Sequence, residues 1–114
     1  MQAKAVFPIV TGIRLNNEVL SGVTVGFSYL YPDQDYYVLK FPMFPRDSYF
    51  MVKTFKRPFE YFLYSRKKRV GERTRFQGIV GVAHLDENLK THMELELPML
   101  QTKLFMSLQP KQGV

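Results

Sequence analysis

Eight cations fall within residues 55–76, FKRPFEYFLYSRKKRVGERTRF: Lys56, Arg57, Arg66, Lys67, Lys68, Arg69, Arg73 and Arg75. Guanidinium groups offer planar, multi-donor contacts to phosphate, and lysines add point charge. Only Glu60 and Glu72 oppose them. The chain holds 16 basic and 10 acidic residues, so eight of each lie outside the segment and cancel. The whole net charge of +6 therefore sits in this fifth of the sequence. A solvated hairpin tip also carries charge runs. The neutrality of everything else turns the expectation toward a polyanionic partner, which a basic surface concentrates and steers.

Aromatic rings interleave with these cations: Phe55, Phe59, Tyr61, Phe62, Tyr64 and Phe76. A cationic groove with exposed rings is how single-stranded nucleic acid is held, each stacked base adding about 1–3 kcal/mol. Most of the rings must be core, because a strand turns only one face outward. Tyrosine tolerates partial exposure, so Tyr61 and Tyr64 are the expected stacking platforms. The expected phosphate contacts are Arg66, Lys67, Lys68, Arg69, Arg73 and Arg75, with Lys56 and Arg57 secondary. Nothing in the pattern favours base-specific readout, so the expected mode is electrostatic, with single-stranded RNA or DNA preferred over duplex. An acidic protein docking on the same patch is the alternative partner. An anionic membrane surface is a further one.

Arg69-Val-Gly-Glu-Arg73 resembles the RxxxR element of PilZ domains, whose arginines bind cyclic di-GMP. The second element of that family, D/N-x-S-x-x-G on a following strand, has no counterpart: Asp86-Glu-Asn-Leu-Lys-Thr lacks both the serine and the glycine. The resemblance covers five residues and implies a phosphodiester ligand for Arg69 and Arg73.

Catalytic and metal chemistry find less material. His84 and His92 are the two groups that titrate near neutrality when unperturbed, and they flank a turn at Asp86–Asn88. His92, Glu94 and Glu96 share one face of an alternating strand, a row that is ordinary on an exposed sheet surface. There is no phosphate-binding GxxxxGK[ST] loop, no GxSxG elbow and no dinucleotide fingerprint. The reading is a binding protein with a regulatory or accessory role, not an enzyme, with no cofactor and no metal. Cysteine is absent, which excludes disulfides and thiolate metal sites. No run approaches the roughly 20 apolar residues of a membrane-spanning helix, and the N-terminal residues lack signal-peptide features. The expectation is a cytoplasmic protein with no integral membrane association.

The elements that must position these groups read mostly as strands. Thr91, Met93, Leu95 and Leu97 alternate with Lys90, His92, Glu94 and Glu96, and Thr102, Leu104, Met106 and Leu108 repeat the pattern. In VTVGFSYLY, Val23, Val25, Phe27, Tyr29 and Tyr31 face one way, opposite smaller residues. Asn16-Asn17 suits a hairpin turn, and Pro32–Asp35, Pro42–Asp47 and Asp86–Asn88 punctuate the remainder. Gly78 and Gly81 suit a bulge or a close backbone approach. Turn signals at this spacing predict a mainly β, small single-domain barrel-like fold of OB, SH3-like or PUA-like type over residues 1–110. Residues 111–114 read as a flexible C-terminal tail. Pro58, with Glu60 after it and Arg66–Arg69 further on, also leaves room for one short helix over 58–69.

Overall fold

Alternating apolar residues with turn chemistry between them form eight strands: β1 (Ala5–Leu15), β2 (Glu18–Leu30), β3 (Tyr37–Lys40), β4 (Tyr49–Lys53), β5 (Tyr61–Val70), β6 (Arg73–Asp86), β7 (Leu89–Glu96) and β8 (Leu104–Ser107). The structure is a computed structural model that describes residues 4–16, 18–55, 60–86, 89–100 and 103–110. Each strand pairs antiparallel with the next, and β8 returns to β1, so the sheet closes into a barrel. This sequential order is the up-and-down arrangement, whereas an OB-fold is a five-stranded Greek-key barrel. Closure leaves none of the eight strands as a full-length edge open to another chain. The expected helix does not form in the described part of its range, because residues 61–69 belong to β5. Pro58 and Phe59 lie outside the described residues, as does the 111–114 tail.

Cross-strand register builds the interior in continuous rows. Tyr37, Met51 and Leu63 lie opposite one another across β3, β4 and β5, and Leu63 faces Gly81 on β6. Ala83, Leu95 and Leu104 form a second row, and Met93, Met106 and Ile9 a third. Ile9, Leu39, Met51, Leu63 and Leu95 are wholly buried. The alternation read in β7 and β8 thus faces the interior as expected. On β2 the inward side is the small one: Gly26 and Ser28 are buried while Phe27 and Tyr29 stand only half-buried. The ring of Phe41 takes the space beside Gly26, where a Cβ would approach its Cδ1 to 2.7 Å. A narrow barrel filled by large side chains from some strands needs small ones on others.

The expected turn at Asn16 is present, with φ of 55°. Gly81 is a point of close approach, since a Cβ there would collide with the Glu96 carbonyl. Just before it the register slips: Leu63 pairs with Gly81 but Tyr64 pairs with Ile79, so Val80 is an extra residue in β6. Such a bulge raises the local twist of the ribbon and bends it. The bend sets the direction in which β5 and β6 carry their cations.

Candidate nucleic-acid interface

Beyond the bulge, β5 and β6 leave the barrel. β4 pairs with β5 only as far as Tyr64, and β7 meets β6 only from Val82 onward. Arg66–Val70 and Arg73–Gln77 therefore pair with each other alone, as a two-stranded arm. A flat continuation would put Tyr64 and Lys67 on opposite faces, because strand side chains alternate. Both nonetheless reach the same aromatic cluster on the outside of the barrel. The ribbon coils between them, where Gly78 adopts φ of 73°, a conformation side chains other than glycine's rarely take.

The coil lays the underside of the arm against the outer face of β3 and β4. Phe76 packs 4.9 Å from the ring of Tyr36 and 5.9 Å from that of Phe50. Lys67, opposite Phe76 in the register, holds its ammonium 5.5 Å from the Tyr36 centroid and 5.3 Å from that of Phe50. The same Nζ donates to the Tyr36 hydroxyl at 3.3 Å. Lys67 is thus a fastener for the arm, its charge directed at the π faces beneath it.

The upper face is different. Register puts Arg66 opposite Gln77, Lys68 opposite Arg75 and Val70 opposite Arg73, so Arg66, Lys68, Arg73 and Arg75 share one side. That side carries four cations and no acid. Directly opposed like charges such as Lys68 and Arg75 destabilise a sheet. None of these four takes part in an ion pair among the described residues. Arg69, on the other face, donates from Nε to the Gly71 carbonyl at 3.2 Å, which stiffens the tip.

Two depressions border the arm. Beneath its tip is a cleft of about 920 Å³, with Arg69 and Arg73 above, Asp33 and Asp35 of the β2–β3 connection opposite, and Tyr31 and Phe76 among its rings. On the other flank a shallower groove of about 500 Å³ joins Arg66 and Lys68 to Arg46, Asp47, Ser48 and Gln77. The arginines of the RxxxR element both line the cleft, although they begin on opposite faces of the ribbon.

The structure thus gathers Arg66, Lys67, Lys68, Arg69, Arg73 and Arg75 on one arm, with Lys67 resting on the Tyr36 and Phe50 rings and bordering both depressions. Lys56 and Arg57 lie outside the described residues. Tyr61 is directed inward, edge-on to Tyr37 at 6.2 Å, and burial pushes its hydroxyl pKa up. Tyr64 is half-buried between Phe62 and Phe76. The rings that border the arginines are instead Tyr31 and Phe76, and Arg46 joins from the β3–β4 connection. Nothing in the local sequence marks Tyr31 or Arg46, whose neighbourhood exists only because the arm folds back. His84 and His92 do not meet across the hairpin: His84 pairs with Glu94, and His92 with Ser107. Burial lowers the pKa of His92, which disfavours the charged form of its ring.

No family model, no curated protein and no solved structure matches this chain. No helix among the described residues is long and apolar enough to cross a membrane.

Proposed function

We propose that the protein binds single-stranded nucleic acid along the β5–β6 arm. Arg66, Lys68, Arg73 and Arg75 take successive backbone phosphates on the upper face. Arg69 reaches the strand at the tip, where Tyr31 and Phe76 offer half-buried rings to a base. The observation that carries this reading is the four-cation, acid-free face, in which Lys68 and Arg75 are held opposite each other at a cost in stability. Phosphates between the two side chains relieve that repulsion and release counterions on binding.

A free two-stranded ribbon is a shape that fits the major groove of duplex DNA. This arm has its underside packed on β3 and β4, so it offers one face, which suits a single strand better than a groove with two walls. Stacking on the cleft rings is tolerant of base identity, and the predicted mode is sequence-independent.

The test is fluorescence anisotropy with mixed-sequence RNA and DNA oligonucleotides at low salt, on the wild type and on an Arg66→Ser, Lys68→Ser, Arg75→Ser triple variant. Wild-type binding that the triple variant loses, at unchanged melting temperature, supports the reading. Equal affinity for both proteins overturns it. Partners recovered in a pull-down that survive nuclease treatment, with no oligonucleotide binding, would assign the face to an acidic protein instead.

A further inference from the structure

Away from the arm, the outer face of β6 and β7 gathers one imidazole and two carboxylates. Register sets His84 opposite Glu94, and Glu96 follows two residues along β7 on the same side. The Nε2 of His84 lies 3.4 Å from Glu94 Oε2 and 3.6 Å from Glu96 Oε1, and one donor atom from each residue falls within 4.8 Å of the others.

Glu94 is the buried member of this cluster. It is only 7% exposed, and both of its oxygens face a cation or an imidazole: Oε2 the ring of His84 and Oε1 the ammonium of Lys103. Phe105 stands opposite it on β8. Its other oxygen faces the Lys103 ammonium at 3.8 Å, an ion-pair distance too long for a hydrogen bond. A carboxylate on a side chain this buried costs stability unless a charge and directed contacts compensate it. Of the charges beside it, Lys103 is held loosely, its side chain 64% exposed.

We propose that His84, Glu94 and Glu96 form a binding site for a divalent transition ion of the zinc class, with water completing the shell. One nitrogen and two carboxylate oxygens suit such an ion, which takes histidine nitrogen and carboxylate oxygen at about 2.0–2.2 Å. Ligand atoms at the corners of a tetrahedron of that size stand about 3.3–3.6 Å apart. The two contacts from His84 are already near that spacing. The carboxylates must close on each other, and Glu96, half exposed, is free to turn inward. Calcium and magnesium fit poorly, because they call for six or more oxygens in the shell. Lys103 competes with the ion for Glu94 and swings into solvent when the ion binds.

The experiment is calorimetric titration of the untagged, chelator-treated protein with zinc chloride, alongside thermal melts with zinc, calcium or magnesium. One equivalent of zinc should bind and raise the melting temperature, reversibly with EDTA, while calcium and magnesium do neither. His84→Gln and Glu96→Gln should each weaken zinc binding at least tenfold. Both change groups that are not fully buried, so their folding can be confirmed independently. Lys103→Gln should bind zinc more tightly, and His92→Gln should bind it unchanged. Absence of zinc binding to the wild type, or undiminished binding to His84→Gln, overturns the proposal.

Discussion

Replacing Lys67 and Lys68 one at a time by threonine should give opposite results, although the two are adjacent, identical and exposed. The Lys67 ammonium sits over two rings and donates to the Tyr36 hydroxyl. Cation–π contacts at exposed sites contribute about 0.5–1 kcal/mol each, and the hydrogen bond adds about 0.5–1.5 kcal/mol. Relief of repulsion from neighbouring cations returns a few tenths of a kcal/mol, so Lys67→Thr should cost about 1–3 kcal/mol. For a chain of this size that lowers the melting temperature by about 4–13 °C. Lys68 points the other way and opposes Arg75. Its removal relieves a like-charge pair, so Lys68→Thr should leave stability unchanged or raise it by up to about 1 kcal/mol. That gain should shrink in high salt, where exposed charges are screened. Urea denaturation reads both effects as midpoint shifts at constant slope. Oligonucleotide affinity should divide the other way, falling for Lys68→Thr and holding for Lys67→Thr. Equal destabilisation by the two variants would refute the docked arm, and with it the assignment of faces.

The same geometry predicts three further outcomes. Phe76→Ala removes the ring that bridges Tyr36, Phe50 and Tyr64; half-buried, it should cost about 2–3 kcal/mol, below the range for a fully buried phenylalanine. Limited proteolysis should then cut near Gly71 faster than in the wild type. Burial raises the pKa of Tyr61, so above pH 10 the unfolded chain releases a proton that the folded chain retains. Stability should be full below pH 10 and fall as pH rises beyond it; Tyr61→Phe should make that fall shallower in denaturation midpoints measured from pH 9 to 11.

How much the sequence discloses differs strand by strand. In β7 and β8 alternation alone separates inside from outside, because Met93, Leu95, Leu104 and Met106 fill the barrel and their neighbours on β7 are polar. In β2 the same rule misleads. Its aromatic residues Phe27 and Tyr29 face outward, since the interior beside Gly26 belongs to Phe41, at least eleven positions away from any residue of that strand. Period two reports which residues share a face, not which face is covered. A helix over residues 58–69 rests on the dipole logic of Glu60 and the cations, but closure of the barrel requires Tyr61–Tyr64 as a paired strand. Tertiary pairing outweighs such local preferences.

The cationic segment is visible from composition, and its use as two faces is not. Arg66, Lys68, Arg73 and Arg75 fall together only once the turn at Gly71 fixes the register. Lys67 is laid over the Tyr36 and Phe50 rings by a coil that depends on Val80 being extra and on Gly78 having positive φ. Gly78 and Gly81 do signal a bulge, yet its effect on the arm depends on the aromatic surface of β3 and β4 that receives Phe76. In the same way, Glu94 and Glu96 read as an exposed acidic row until β6 brings His84 across from them in place of His92.

The salt dependence of oligonucleotide binding tests the central claim most directly. Five cations of the arm, Arg66, Lys68, Arg69, Arg73 and Arg75, neutralising five phosphates of a single strand should give log K against log salt a slope of roughly −3.5. Removing one of them should bring the slope closer to zero by about 0.7, whereas Lys67→Thr should leave it unchanged. A flat salt response, or no binding to mixed oligonucleotides at low salt, would contradict the account.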